Sequence, residues 1–430
     1  MFSGMVQGVL ARMIARVLRE GDLRITWPDG RGQRFGDGTG KTHHLAIRDP
    51  GLILRLLLNP ELALGEGYTE GGLTIGGDDV TGFLALIARN ARLHGAGRFS
   101  AAASATRTGL RRIAQHNPLA TARRNVEVHY DLPTAFYERF LDRNMQYTCG
   151  YFADPGWDLD QAQIAKMDHI GRKLCLVPGQ HVLDIGSGWG GLSIHLARRF
   201  HVRVTGITLS REQLAEANRR AWAAGVADRV TFRLMDYRDI EETFDRIVVV
   251  GMMEHVGQPQ YPSFWSQIDR CLAPDGIALV HTIGRTTPPG RTSPFIHKHI
   301  FPGGYVPALS EVTSVFEQTG LLPTDIEVWR GHYARTVQAW RAGFEAQLPR
   351  VRGLMDDRFI RMWRYYLAAS EVSFTELGLV IYQFQMAHKA DAVPLTREYL
   401  SPDHAEQDAK AASPHHREPL GRRDPVAELG

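Results

Sequence analysis

The sequence predicts an α/β protein: a doubly wound, mostly parallel sheet preceded by a smaller α+β domain. Three observations carry that expectation. From about residue 180, short apolar runs alternate with helical patterns; the first of those runs ends in a cluster of glycines; and the residues before about 95 show shorter elements without this alternation. Alternating strands and helices build a parallel sheet covered on both faces, and ligands sit at the carboxyl ends of its strands where the strand order reverses.

Phe2, Met5, Val6, Val9, Leu10, Met13, Ile14, Val17 and Leu18 recur at helical spacing, with Arg12, Arg16 and Arg19 on the other face. Such an amphipathic helix either packs on its own domain or lies in a bilayer interface. Strand-like runs at 23–27, 44–47 and 73–75 and helical patterns at 51–58 and 79–90 complete a domain over 1–95. Residues 91–124 carry Arg92, Arg98, Arg107, Arg111, Arg112, Arg123 and Arg124 without one Asp or Glu. Their Ala, Ser, Gly and Thr content makes 96–124 a basic linker, either a solvated connector or a contact for an anionic surface. A large domain over 125–392 follows, with strands expected at 181–185, 202–207, 230–234, 244–252 and 276–283 and helices at 190–200, 210–224 and 261–272. Residues 355–388 read as one or two amphipathic helices. The polar, non-periodic stretch 393–430 is expected to be a disordered tail.

Composition removes several classes. With 50 Lys+Arg against 47 Asp+Glu the net charge is +3, so only the local basic stretch, not the whole chain, favours an anionic partner, and no nucleic acid is expected. The apolar runs at 52–58, broken by Arg55, and at 247–253 fall far short of the roughly 18 residues a membrane span needs. Cys149, Cys175 and Cys271 lie far apart with no Cys-x-x-Cys pair, which argues against a disulfide framework and a structural zinc site; no metal is expected. The N-terminus lacks signal-peptide character, and the expected compartment is a reducing cytoplasm.

The string VLDIGSGWGG (182–191) reads as a buried strand ending near Asp184, followed by Gly186, Gly188, Gly190 and Gly191 and then a helix. Glycines there either let the backbone approach a ligand or merely serve a tight turn. A dinucleotide site wants an acid about 20 residues on to hold the ribose, and the second strand ends GITLS (206–210) without one. Asp184 suits a cationic or amine-bearing ligand. S-adenosylmethionine, with an ammonium and a sulfonium, fits better than NAD.

The string NVEVHYDLPTAFYERFLDRNMQYTCGYF (125–152) resembles the segment before the methyltransferase core of cyclopropane-fatty-acyl-phospholipid synthases and mycolic acid cyclopropane synthases. So do VLDIGSGWGG, GITLSREQ (206–213), DYRD (236–239), FDRIVVVGMMEHVG (244–257), ALVHTIG (278–284), IFPGGYVP (300–307) and the 361–388 stretch. LGEGYTEGGLTI (64–75) is similar to the N-terminal module of the longer, phospholipid-acting members. Departures are Ser187 where Cys is usual, and Thr148 and Gly150 where Ser and Ala are common.

The resemblance implies a Rossmann-like methyltransferase sheet and a cofactor site for S-adenosylmethionine. That site would comprise Tyr147, Thr148, Asp184, Gly186, Gly188, Gly190, Thr208, Leu209, Ser210, Gln213, Asp236 and Tyr237. Ser210 and Gln213 would bond ribose hydroxyls; the alternative for this pair is a helix capping box. The resemblance also implies a bound bicarbonate ion acting as base, held by Cys149, Glu254, His281, Ile283 and Tyr333. Glu254 would bond a protonated oxygen, His281 and Tyr333 would donate, and main chain near Cys149 and Ile283 would supply N–H groups. A buried His–carboxylate pair is the plainer reading of Glu254 and His281, and methylation of Cys149 would not help ring formation. Trp189, Trp265, Tyr130, Tyr137 and Tyr151 either line an acyl channel or pack in the core.

The implied reaction adds a methylene across cis double bonds of phospholipid acyl chains, giving cyclopropane fatty acids. Its nearest rival stops at a methyl or methylene branch; a small-molecule O- or N-methyltransferase and a non-catalytic lipid-binding relic are further alternatives. The expected partner is unsaturated phospholipid in a bilayer, met by peripheral attachment at the inner face of the membrane, with a homodimer left open.

Overall fold

The computed structural model describes residues 2–94 and 132–401. The expected linker at 96–124, the start of the 125–152 string with Tyr130, and residues 402–430 lie outside the described residues.

Four strands, β1 Asp22–Thr26, β2 Gly32–Phe35, β3 Thr42–Ile47 and β4 Leu73–Ile75, form a sheet in the order β2-β1-β3-β4, parallel only between β1 and β3. Helices α1 Phe2–Val17, α2 Pro50–Leu58, α3 Pro60–Thr69 and α4 Val80–His94 pack with it. α1 takes the first of its two expected fates, burying Leu10 and Ala11, yet leaves Met5 and Val9 exposed. β2 escapes the sequence pattern because only Phe35 of its four residues is buried.

In the larger unit, α5 Leu159–Lys173 precedes β5 His181–Ile185, α6 Gly191–Phe200, β6 Arg203–Thr208, α7 Arg211–Ala223, β7 Val230–Leu234 and β8 Phe244–Val250. Then come α8 Tyr261–Cys271, β9 Leu272–Arg285, α9 Pro294–His299, α10 Leu309–Phe316, β10 Leu322–Trp329, α11 His332–Ala346, α12 Asp357–Thr375 and β11 Leu379–Ala387. The seven strands run β10-β11-β9-β8-β5-β6-β7, with β9 through β7 parallel and β11 antiparallel to both its neighbours. The order reverses at β5, flanked by β6 and β8, so the crevice for a ligand opens at its carboxyl end.

Two expectations need correction. Residues 355–388 are not all helical: α12 ends at Thr375, Gly378 turns the chain at φ +74°, and 379–387 form β11. Val380, Ile381, Tyr382 and Phe384 favour a pleated strand, and a short apolar run buried on both faces carries no period that distinguishes strand from helix. The expected tail also starts too early, because residues 393–401 are placed. Tyr399 reaches the Gln385 side chain at 3.0 Å and Arg397 pairs with Asp325. Two specific polar anchors hold a segment whose composition shows no apolar pattern.

The smaller sheet and its helices share one hydrophobic core with the larger unit. Phe83, Leu52 and Tyr68 belong to the same cluster as Phe295, Trp363 and Tyr366, and burying each such side chain is worth about 1.5–3 kcal/mol. Gly65 of α3 sits so close that an added Cβ would lie 2.3 Å from Phe295 Cδ2, which is why the LGEGY string needs a glycine there. Around this contact Glu66 accepts from Lys298 Nζ at 2.6 Å, and Arg361 donates to the Thr69 carbonyl at 2.8 Å.

Candidate active site

A cavity opens at the carboxyl ends of β5, β6 and β8. Of the expected cofactor residues, Tyr147, Thr148, Asp184, Gly186, Gly188, Thr208, Leu209, Gln213, Asp236 and Tyr237 line it. Gly190 and Ser210 do not. A Cβ on Gly190 would meet Phe232 at 2.6 Å and Ala217 at 3.1 Å, so this glycine serves packing between helix and sheet. Ser210 caps α7, its hydroxyl accepting the Gln213 N–H at 3.2 Å. The capping box is only half made, because the Gln213 side chain turns instead to accept from Thr208 Oγ1 at 2.8 Å.

Asp184 is fully buried, accepts from Ser193 Oγ at 2.6 Å, and has its pKa pushed up to about 6 by burial. A cationic ligand would restore its charge, which fits the amine expected there. Asp236 is committed differently: both its oxygens accept from Arg238, at 2.8 and 2.9 Å, so the pair forms a fork at the rim. Trp189 lines the cavity and packs on Tyr137 at 4.9 Å. Tyr137 and Trp265 are core residues, while Tyr151 is stacked between His169 and His332, each 4.9 Å away.

None of Cys149, Glu254, His281, Ile283 and Tyr333 lines this cavity, yet the fold brings all five together beside it. Cys149, Trp329 and Ile381 form a small cluster against which Ile283 and Tyr333 pack. Glu254 Oε1 accepts the Ile283 N–H at 2.7 Å, and His281 meets Trp329 edge-on at 5.1 Å. The Ile283 amide is therefore spent on orienting Glu254, not left for a bound ion as expected. Glu254 Oε2 and His281 Nε2 are buried without a hydrogen-bond partner. Two such orphans in one place are costly unless a polar guest satisfies them, and a small oxyanion with one hydroxyl fits the pair. Burial pushes Glu254 up to about 7, holds His281 neutral by moving it well below its usual value, and raises the Cys149 thiol far out of the range in which it would ionise. A protonated Cys149 is a poor nucleophile.

One loop serves both places, since 146–148 line the cavity and 149 joins the cluster. Two residues that the sequence did not single out clamp it from α5. Lys166, fully buried, donates to Gln146 Oε1 at 2.6 Å and Thr148 Oγ1 at 2.8 Å; Gln163 Nε2 donates to the Thr148 carbonyl at 2.8 Å. Burial lowers Lys166 to about 8, opposed by Asp142, Cys149 and Asp184. Its helix, with a lysine among Gln, Asp and Ala, gives no sequence signal for such a role. A third unforeseen residue, Gln383, lies on β11 against His281.

A switch-point cavity behind a glycine turn, with a buried acid at the end of β5, defines the class: an S-adenosylmethionine-dependent methyltransferase. Residues 118–384 match the family model for mycolic acid cyclopropane synthetase, and the chain belongs to that family. It is 33% identical over 388 residues to a probable fatty acid methyltransferase of Pseudomonas putida, covering 87% of this chain and 95% of that one. It is 40% identical over 255 residues to the cyclopropane-fatty-acyl-phospholipid synthase of Escherichia coli K12, covering 59% of this chain and 65% of that enzyme. Among solved structures, a mycolic acid cyclopropane synthase complexed with SAH and CTAB superposes with a TM-score of 0.59 at 31% identity, covering 63% of this chain and 99% of that one.

Proposed function

We propose that the protein transfers a methylene from S-adenosylmethionine across cis double bonds of phospholipid acyl chains, forming cyclopropane fatty acids. The observation that carries this reading is the buried, unpartnered pair Glu254 Oε2 and His281 Nε2 next to the cofactor cavity. An ordinary O- or N-methyltransferase acts on a polar acceptor and has no use for them. The relative from Escherichia coli, named for this reaction on phospholipids, supports the substrate class.

S-adenosylmethionine bound in the cavity supplies an electrophilic methyl group. Asp184 and the 186–188 turn would hold it, with Thr208 and Gln213 toward the ribose. Bicarbonate, held by Glu254 and His281 with Tyr333 beside them, supplies a proton acceptor. Around these groups Cys149, Trp329, Ile381, Ile283 and Tyr333 keep water away from a reacting alkene, which matters because a carbocation formed there would be trapped by solvent. Glu254 Oε2 would accept from the hydroxyl of bicarbonate and neutral His281 would donate from Nε2, so both orient the acceptor without themselves taking the transferred proton.

The competing product is a methyl or methylene branch on the same lipids, a reading favoured by the name of the Pseudomonas putida relative. S-adenosylmethionine with a fully deuterated methyl separates the outcomes. Ring closure delivers two deuterons, with upfield ring protons and no alkene at that position; a methyl branch formed by loss of a chain proton keeps three beside an alkene, and a methylene branch keeps two on the alkene carbon itself. Lipids extracted from expressing cells and found unchanged in acyl mass would refute the lipid assignment altogether.

A further inference from the structure

His281 can serve as a donor to an anion only if its ring proton sits on Nε2, and a neutral imidazole in isolation has no fixed choice. The antiparallel strand β11 supplies one. Gln383 is the direct cross-strand partner of His281 in the β11–β9 register, it is completely buried, and its Nε2 lies 3.1 Å from His281 Nδ1. An amide N–H aimed at Nδ1 makes that nitrogen the acceptor. The proton is then left on Nε2, the atom that lacks a partner.

We infer that Gln383 is a positioning residue that fixes His281 as its Nε2–H tautomer, turning a donor toward the site where the base ion would sit. This rests on the function proposed above for its purpose, but not for its geometry. Both residues stand on strands, so the contact is held by the sheet and not by a loop. Gln383 Oε1 is buried and unpartnered, so among the described residues the contact to His281 Nδ1 is the amide's side-chain hydrogen bond. Rotating it would present a carbonyl to Nδ1 and leave Nε2 bare, an acceptor facing an anion. Burial, which keeps the ring neutral, makes the choice between the two tautomers matter.

The test uses the full chain labelled with ¹⁵N-histidine, the His281 signals being identified by their loss in His281→Asn. Wild type is expected to show one neutral tautomer protonated on Nε2, with the signal responding to added sodium bicarbonate. Gln383→Glu keeps the shape but offers only an acceptor, so the proton should move to Nδ1 or both nitrogens should carry one. Turnover should drop about 10²-fold or more, the scale on which a wrong tautomer disables other imidazoles, while S-adenosylmethionine affinity stays within about twofold. If that variant fails to fold, Gln383→Met removes the donor without adding an acceptor and should blur the single tautomer into a mixture. A wild-type ring protonated on Nδ1, or a ring unchanged in the variants, overturns the assignment. Because the ring proton is read without lipid, a protein inactive on phospholipids would refute the proposed function and leave this inference standing.

Discussion

Glu254→Gln isolates the free energy stored in the buried carboxyl. Glutamine keeps the oxygen that accepts the Ile283 N–H at 2.7 Å and replaces the unpartnered Oε2 with an amide nitrogen. In wild type, burial raises this carboxyl from 4.5 to about 7, so the folded state binds the proton more tightly than the unfolded state. Stability from this group is therefore fully present below about pH 4.5 and is lost as pH rises through 7. At about 1.4 kcal/mol per pKa unit the full loss from below pH 4.5 to pH 8 amounts to about 3.5 kcal/mol. The variant does not titrate and does not suffer it. Urea unfolding of both proteins in bicarbonate-free buffer at pH 5, 6, 7 and 8 measures the difference; all other groups cancel, and any fixed cost of the amide is a constant offset. The variant's relative stability should climb by about 2.5 kcal/mol from pH 5 to pH 8, while turnover falls about 10²-fold or more and S-adenosylmethionine still binds. A difference that is flat with pH, or that shrinks as pH rises, would refute the claim that Glu254 is held protonated near neutrality.

Lys166→Met leaves Gln146 Oε1 and Thr148 Oγ1 without their donor; an unpaired buried acceptor costs about 1–3 kcal/mol, so calorimetry should find S-adenosylmethionine binding weaker by roughly tenfold or more, and an unchanged affinity would remove the loop clamp. Gly65→Ala drives a Cβ into Phe295 and should destabilise the packing of the smaller sheet's helices on the larger unit by about 1–3 kcal/mol; limited proteolysis near α3 should accelerate, and equal rates would show that the rings yield freely. Peripheral membrane attachment should appear as tighter binding to vesicles containing anionic lipid, weakened by salt over a screening length of about 10 Å at 0.1 M. Among the described residues no helix is long and apolar enough to cross a membrane. Equal binding to neutral vesicles at high salt would remove the electrostatic part and leave exposed Met5 and Val9 of α1 as the anchor.

The glycine turn was legible because everything it needs is local: a buried strand, an acid at its end, and glycines before a helix occupy ten consecutive residues, 182–191. Glu254, His281 and Tyr333 were reached only through the resemblance, since no spacing joins residues on β9, on α11 and just after β8 until the fold does so. Ser210 shows the opposite error, a polar residue beside the cavity whose hydroxyl is consumed in capping its own helix. Lys166 and Gln383 were invisible for a stronger reason. Lysine and glutamine are residues normally read as exposed, and here each is buried with its ammonium or amide nitrogen turned to a partner 20 or 102 positions away. A polar residue whose meaning lies entirely in its distant partner leaves no periodic trace.

The same register explains how one sheet carries the cofactor cavity and the Glu254–His281 cluster side by side. In the pairing of β8 with β9, Val250 lies opposite His281, and in that of β9 with β11, His281 lies opposite Gln383. Val250 lines the cofactor cavity, whereas His281 and Gln383 are one and two strands beyond it. The parallel strands thus present the cavity at their carboxyl ends, and the antiparallel strand adds the polar side chain that a plain alternation of strands and helices would not put there. Glu254, just after β8, stands where the two regions meet, its carbonyl accepting the Tyr305 N–H at 2.8 Å and its carboxylate turned to Ile283 on β9. On the proposed reading, a base ion held by Glu254 and His281 would lie one strand from the cofactor cavity, close enough to meet the transferred group, as ring closure requires.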